Sequence, residues 1–464
     1  MTRSRSSEAS RPGEAEGRRR RSGRFMSLLI IAAESRAYHR VTVSMRVLHV
    51  TQGYSPAIGG TERLVQRVSE ELVQRWQDEV AVLTTDCYNG DAFYTPSLPS
   101  MPAGRSNLNG VQICRLPVRR QLSRIFRRPQ AIAYRLGLPF NDRLRALAGG
   151  PIVPGLRKAI VSTPADVVVA ASFPLLHMFD ALAAARASSR PCVLIGCLHP
   201  GDRWGFERPM IYDAIREADA YIALTTHEAA HVVSRGARPD RVRAIGVGVD
   251  AQRFQGFSSE DSRWRLGFDR RPVVGFIGQL AQHKGIDTLL RAMPAVWRYE
   301  PEVNLLIAGG RTLFGDRVEQ IVREWPDAFR RRTRIVLDFP EEQKPELFAA
   351  IDVLACPSAF ESFGITYLEA WAAGKPVIGA RAGAVTTVID EDVNGLLVEY
   401  DDDLALAREL VDLLREPSRA ARMGEAGRVK VQARYGWPAI ADQYRRVYTS
   451  VVERAQTTCR SDAV

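Results

Sequence analysis

ESFGITYLEAWAAGKPVIG, residues 361–379, reads as a helix running into a buried strand. At 100° per residue, Glu361, Ile365, Leu368, Glu369 and Ala372 share one helical face. Ser362 and Gly364 open the helix, and Gly374 with Pro376 stops it before the apolar run KPVIGA (375–380). Glu369 is the sole charge between Ser362 and Gly374, and an acid on an apolar stripe is costly unless something pairs with it. Ligand hydroxyls are one candidate partner. A core carboxylate bonded to backbone amides or to an arginine is the other.

Outward from this stretch the chain alternates short apolar strands with helices. A first run holds VLHV (47–50), VAVLTT (80–85), VVVAAS (167–172), VLIGCL (193–198), AYIALT (220–225) and VRAIGVGVD (242–250). A second holds VVGFIG (273–278), VNLLIAGG (303–310), RIVLDF (334–339), DVLACP (352–357), KPVIGA and GLLVEY (395–400). Such alternation implies parallel sheets covered on both faces, here an α/β protein of two Rossmann-like domains facing a cleft. The expected domains are 45–255 and 256–436, with 250–272 as a linker lacking a strong period. A helix in 437–464 is expected to pack back on the first domain, then a tail. Residues 88–110, rich in Pro, Gly, Asn and Ser, read as a long loop.

The 464 residues are 45% hydrophobic and 25% charged, the composition of a globular protein with more than one core. Of the formal net charge of +11, residues 1–44 carry +6, from ten arginines against four glutamates. That segment reads as a disordered basic extension or a start placed too early, since MRVLHVTQ at Met45 opens a plausible first strand. FMSLLIIAA resembles an export signal, but its apolar run is short and no clean A-x-A site follows. Six cysteines without metal-like spacing point to reduced thiols of a cytoplasmic protein. No apolar run reaches the roughly 18 residues needed to span a bilayer.

Ligands of such sheets bind outside the carboxyl ends of the strands, so three strand-to-helix loops matter. GQLAQHKG (278–285) offers Gly278 for close backbone approach and Lys284 as a full positive charge beside a helix N-terminus. The lysine precedes the second glycine and no Ser or Thr follows, so this is not a Walker A loop. Ser362 and Gly364 make a second anion site beside the two acids. Gly59 and Gly60 in SPAIGG (55–60) form a third glycine loop, readable equally as a tight turn. Asp401, Asp402 and Asp403 follow a strand but look like a solvated helix start, leaving no metal site in view.

Together, GQLAQHKG, the ESFGITYLE element some 75 residues later and GKPVIGARAGAVTTVIDEDVNGLLV resemble glycosyltransferase family 4. This is the retaining, nucleotide-sugar-dependent group of the GT-B fold, also called glycosyl transferases group 1. The resemblance covers about Met45 to Trp437. It implies that Glu369 binds the donor ribose and Glu361 the sugar near its 3- and 4-hydroxyls. The amides of Phe363 and Gly364 would hold the diphosphate with Lys284, Gly60 would approach it from the first domain, and His199 would sit near the reacting carbon. Phe339 and Pro340 would lie beside the base. Gln279 departs from the arginine common in relatives and removes one cation from the leaving group; Arg311 or His283 could substitute.

These features imply a metal-independent hexosyltransferase that needs no cofactor, its nucleotide sugar being a substrate. The alternatives are a sugar phosphorylase, a nucleotide-sugar epimerase or a catalytically silent nucleotide-sugar binder. No lysine suggests pyridoxal phosphate. VRRQLSRIFRRPQ (118–130), with five arginines and Leu122, Ile125 and Phe126 at helical spacing, reads either as a contact with an anionic membrane at its inner face or as a solvated basic face. A membrane contact would suit a lipid-linked acceptor. The basic run lacks the interleaved aromatics of a nucleic-acid site.

Overall fold

The computed structural model describes residues 44–57, 59–310 and 312–461. The expected N-terminal extension, apart from Ser44, and the side chain of Arg311 lie outside them. The described residues from Met45 onward form a single compact unit.

Two sheets organise that unit. The first contains β1 (Arg46–Val50), β2 (Glu79–Thr85), β3 (Gly104–Leu108), β4 (Val111–Leu116), β5 (Val167–Ala171), β6 (Cys192–Ile195), β7 (Ala220–Ala223) and β8 (Val242–Ala244). Their spatial order is β3-β4-β2-β1-β5-β6-β7-β8, parallel except for the antiparallel β3–β4 pair. The second contains β9 (Val273–Ile277), β10 (Asn304–Gly309), β11 (Thr333–Leu337), β12 (Val353–Cys356), β13 (Val377–Ala380) and β14 (Gly395–Val398), all parallel in the order β11-β10-β9-β12-β13-β14. Strand order reverses beside β1 in one sheet and beside β9 in the other. Crevices open at such reversals, and the three glycine-bearing loops follow β1, β9 and β12.

Several boundaries differ from the sequence reading. The 88–110 loop contains a 3₁₀ turn, Gly90–Phe93, and ends in β3, whose polar, exposed residues carry no apolar alternation. β4 had no counterpart among the expected strands. The 250–272 linker is partly helical, at Ala251–Phe254 and Ser259–Arg265. β8 is only three residues, because Gly246 and Gly248 of GVGVD instead lie against Phe363 and Trp437.

Trp437–Ser461 is one helix running along Gly60–Trp76 of the first domain. Arg445 donates to both oxygens of buried Asp78 at 2.7 and 2.9 Å, and Asp78 also accepts from the Met45 N–H. Tyr448 meets the Nε2 of His49, whose Nδ1 meets Ser69 at 2.7 Å.

Burial depresses the imidazole pKa values of His49 to about 3 and His177 to about 4. Both are neutral in the fold at pH 7. As pH falls below about 6.5 the unfolded chain takes up these protons first, so stability declines from there toward pH 4. Glu228 acts oppositely: burial raises it to about 7, so its cost develops as pH rises from 4.5 to 7. His177→Asn should therefore flatten the fall of the melting temperature between pH 6.5 and 4.5. An unaltered slope would show that His177 is not held neutral.

Candidate active site

The loops after β9 and β12 are tied into one surface. Ala359 N–H donates to the His283 carbonyl at 2.8 Å and Ser358 Oγ to the Lys284 carbonyl at 3.3 Å. Gly285, at φ +74°, permits this approach: a Cβ there would lie 2.2 Å from the Pro357 carbonyl oxygen. On this surface Lys284 Nζ reaches Glu361 Oε1 at 2.7 Å.

The helix of the second loop is shorter than expected. It spans Ile365–Ala372, with Gly364 as its left-handed N-cap at φ 90°. Glu361 therefore lies on the preceding loop and shares no helical face with Ile365, Leu368 and Glu369, because the glycine redirects the chain just before the helix. Glu369 does lie on the buried helix. Tyr367 and Trp371 anchor that helix through hydrogen bonds to the carbonyls of Cys356 and Asn394.

Glu369 is 6% exposed and has a partner the sequence reading missed. Lys344, which opens the helix Lys344–Ala350 beyond β11, places Nζ 2.6 Å from Glu369 Oε1. Burial raises the Glu369 carboxyl and Lys344 opposes that effect. Burial also works against the Lys344 charge, but Glu369 and Glu341 together hold the ammonium above its usual range. Both lysine–glutamate pairs thus stand at the carboxyl ends of the second sheet. Phe339 and Pro340, between β11 and Lys344, occupy the same end.

The first domain meets this surface directly. His199 Nε2 lies 2.8 Å from Ser362 Oγ, which also donates to the Cys197 carbonyl at 3.3 Å. Burial lowers the His199 pKa to about 4, with Glu361 opposing, so the ring is a neutral hydrogen-bonding group at pH 7. Across the cleft, a Cβ on Gly60 would come 3.2 Å from Ile365 Cδ1. Gly59 serves a different need, since a Cβ there would collide with the half-buried Glu62 carboxylate at 2.1 Å. Phe363 turns its ring inward, onto Tyr435 and Gly246. Gln279 is exposed, its carbonyl accepting from Ala281, and stands outside the Lys284–Glu361 contact.

Glu228 is a second residue that sequence reasoning passed over. Thr225 and Glu228 have capping-box spacing, and Thr225 Oγ1 does accept from the Glu228 N–H. The acid itself is used elsewhere: it accepts from Tyr221 Oη at 2.6 Å, Leu224 N at 2.8 Å and Leu198 N at 3.1 Å. It thereby fixes the backbone next to His199. Asp402 caps the helix Asp403–Arg415 by accepting from Ala405 N–H, and Asp401 pairs with Arg291.

A model of the family described as glycosyl transferases group 1 matches residues 258–430, and one of a glycosyl transferase 4-like domain matches 59–248. The D-inositol 3-phosphate glycosyltransferase of Xylanimonas cellulosilytica is 31% identical over 293 residues, covering 61% of this chain and 67% of that protein. The chain belongs to the glycosyl transferases group 1 family. A second group 1 relative, the D-inositol 3-phosphate glycosyltransferase of Segniliparus rotundus, is 33% identical over 49% of this chain and 51% of its own length. The GDP-mannose-dependent monoacylated alpha-(1-6)-phosphatidylinositol monomannoside mannosyltransferase of Corynebacterium glutamicum is 34% identical over 44% of this chain and 55% of that protein. The chain thus spans about half to two-thirds of the length of these curated relatives.

Two solved structures share the fold. Anabaena HepE in complex with UDP and glucose has a TM-score of 0.66 at 19% identity, covering 88% of this chain and 100% of that one. Sucrose-phosphate synthase from Thermosynechococcus elongatus has a TM-score of 0.67 at 20% identity, with the same coverage. The group 1 chain accordingly has the two-domain GT-B architecture expected from its sequence.

Proposed function

We propose that this protein is a retaining glycosyltransferase that moves a hexose from a UDP- or GDP-sugar to a glycan, lipid-linked or small-molecule acceptor, without a metal ion. The observation that carries this reading is the row of Lys344–Glu369 and Lys284–Glu361 pairs along one sheet end, faced by His199. Glu369 takes the ribose hydroxyls, with Phe339 and Pro340 beside the base. Lys284, the Phe363 and Gly364 amides and Gly278 hold the diphosphate, with Gln279 as a neutral donor and Gly60 approaching from the first domain. Glu361 takes the sugar hydroxyls.

The bond from the anomeric carbon to the diphosphate oxygen breaks as positive charge grows on the sugar. Lys284 and the dipole of the helix behind Gly364 stabilise the departing negative charge. The acceptor hydroxyl attacks from the same face and gives its proton to the departing phosphate oxygen, releasing the nucleoside diphosphate with retention. Neutral His199 positions hydroxyls and is not the base. A thermal-shift panel of UDP, GDP, ADP and their sugars tests the donor. One uridine or guanosine series should raise the melting temperature, since binding to the native state stabilises it. No shift with any nucleotide sugar would refute the reading.

The same proposal places the protein in the cytoplasm, peripheral at the inner face of the membrane. Cys87, Cys114, Cys192, Cys197 and Cys356 are unpaired, and among the described residues no helix is long and apolar enough to cross a bilayer. The basic segment forms the helix Arg120–Arg135, on which Leu122, Ile125 and Ile132 are 39%, 64% and 58% exposed. An apolar stripe flanked by Arg124, Arg127 and Arg128 fits an anionic lipid surface. Each basic residue near such a surface contributes about 1 kcal/mol, so reversing these three charges should weaken binding to phosphatidylglycerol vesicles by at least about 100-fold. Unchanged cosedimentation would remove the membrane contact.

A further inference from the structure

We infer that the cavity lined by Gln282, Phe360 and Tyr400 holds an uncharged sugar ring, so that the acceptor is an oligosaccharide anchored one unit away from the transfer centre. The inference rests on the proposed transfer reaction for the word acceptor, while the cavity stands on separate observations. Its volume is about 510 Å³, and His283, Ala359 and Ala382 complete its wall. Small-molecule sites occupy about 300–1,000 Å³. Gln282 and His283 follow β9, Ala359 and Phe360 follow β12, Ala382 follows β13 and Tyr400 follows β14. The lining thus comes from the carboxyl ends of parallel strands, the edge of an α/β sheet where ligands bind.

The lining selects a neutral ligand with both apolar and hydroxylic surface. The Phe360 and Tyr400 rings are 39% and 40% exposed. A pyranose carries C–H groups on its faces and hydroxyls around its edge, which suits aromatic walls flanked by hydrogen-bonding groups. The Gln282 amide, the Tyr400 hydroxyl and the His283 imidazole are those groups. Burial and then Lys284 lower the His283 pKa, with Glu361 and Asp202 opposing, so the ring is neutral at pH 7. Charges beside the cavity are paired with one another: Arg381 with Glu391 and Glu399, and Asp401 with Arg291. No lining residue therefore brings a charge that would hold a phosphate or a carboxylate.

Location ties the cavity to the reaction. His283 and Phe360 immediately precede Lys284 and Glu361, and the bond from the Ala359 N–H to the His283 carbonyl joins the two loops within the cavity wall. The cavity therefore adjoins the sugar end of the donor site and is separate from its nucleotide end. β9 leads to β10 and β12 to β13 in opposite directions across the sheet, so right-handed connections put the helices Ile286–Tyr299 and Ile365–Ala372 on opposite faces. Tyr400 precedes the helix Asp403–Arg415, which packs on Ile286–Tyr299, whereas Glu369 belongs to the other face. The first domain reaches the rim: a Cβ on Gly383, next to Ala382, would lie 3.9 Å from His227 Nε2. An acceptor whose end unit meets the donor sugar at Glu361 places its next ring here.

The test is calorimetric titration of the full chain, loaded with UDP or GDP, with maltotriose, mannotriose and N,N′-diacetylchitobiose, each beside its monosaccharide and beside the acidic digalacturonate. At least one neutral oligosaccharide should bind more tightly than its monosaccharide. Phe360→Ala and Tyr400→Ala should each weaken it by at least about tenfold and leave nucleotide-sugar binding unchanged. Tyr400→Phe, which keeps the ring, should retain most of the affinity. The exposed Gln282→Ala, which leaves both rings in place, should weaken binding by about threefold at an unaltered melting temperature. The subsite would be overturned if no oligosaccharide bound the parent, if binding were indifferent to loss of both rings, or if digalacturonate bound as tightly as the neutral sugars. Nucleotide-sugar binding without oligosaccharide binding would remove the subsite alone. Oligosaccharide binding that depends on Phe360 and Tyr400, in a protein that no nucleotide sugar stabilises, would sink the transferase reading and leave the saccharide site standing.

Discussion

Lys284→Ala should lower donor turnover by about 10²–10³-fold, the typical cost of removing one preorganised group that meets developing negative charge. Lys284 is the one full cation that the β9 loop sends to the Glu361 side of the cleft, and Gln279 adds no charge. The loss should fall on kcat more than on KM, because leaving-group charge is largest in the transition state. Glu361 would lose its 2.7 Å partner, but its loop remains fastened through Ala359 and Ser358. The melting temperature should therefore change little. A variant that keeps kcat within threefold would remove Lys284 from the chemistry.

Lys344→Met should cost about 3–5 kcal/mol of stability, the usual penalty for leaving one member of a buried ion pair alone. Glu369 is then the uncompensated group. Its carboxyl is already raised by burial, so it can escape by taking a proton. A raised carboxyl pKa means a cost that is present above the folded pKa and fades as pH falls toward the ordinary carboxyl range. The destabilisation should accordingly be greatest at pH 8 and shrink in acid, and Lys344→Met combined with Glu369→Gln should recover most of it. For binding, Glu369→Ala should weaken free nucleotide by about 10–100-fold, as hydrogen bonds to a charged group contribute about 1.5–3 kcal/mol. Glu361→Ala should spare free nucleotide and weaken the nucleotide sugar. Equal effects of the two substitutions on free nucleotide would contradict the division of labour.

Most strands were legible because they are short, apolar runs, and β1, β5, β6, β7, β9, β10, β12 and β13 are buried along almost their whole length, a pattern that periodicity detects. β3 was not, since an exposed edge strand of Gly, Arg, Ser and Asn has no apolar alternation to read. The two acids were legible as an energetic oddity, and the pairing of GQLAQHKG with ESFGITYLE placed Lys284 next to Glu361. The helical face drawn through Glu361 failed because a glycine can cap a helix in a left-handed conformation as easily as continue it. Lys344 carries no local signal: it is one charge at a helix start, and its meaning comes from parallel packing that brings the end of β11 to the Ile365–Ala372 helix. Glu228 was visible as half of a capping box, but its bond to Leu198 depends on the β6–β7 register.

The most direct test of the transferase reading is phosphorus and proton NMR of the purified protein incubated with the nucleotide sugar chosen by the thermal-shift panel, alongside Lys284→Ala and Glu361→Ala. The expected result is slow release of the nucleoside diphosphate with an α-configured sugar product, abolished in both variants. Epimerised donor with no diphosphate released, or diphosphate release equal in all three proteins, would contradict it.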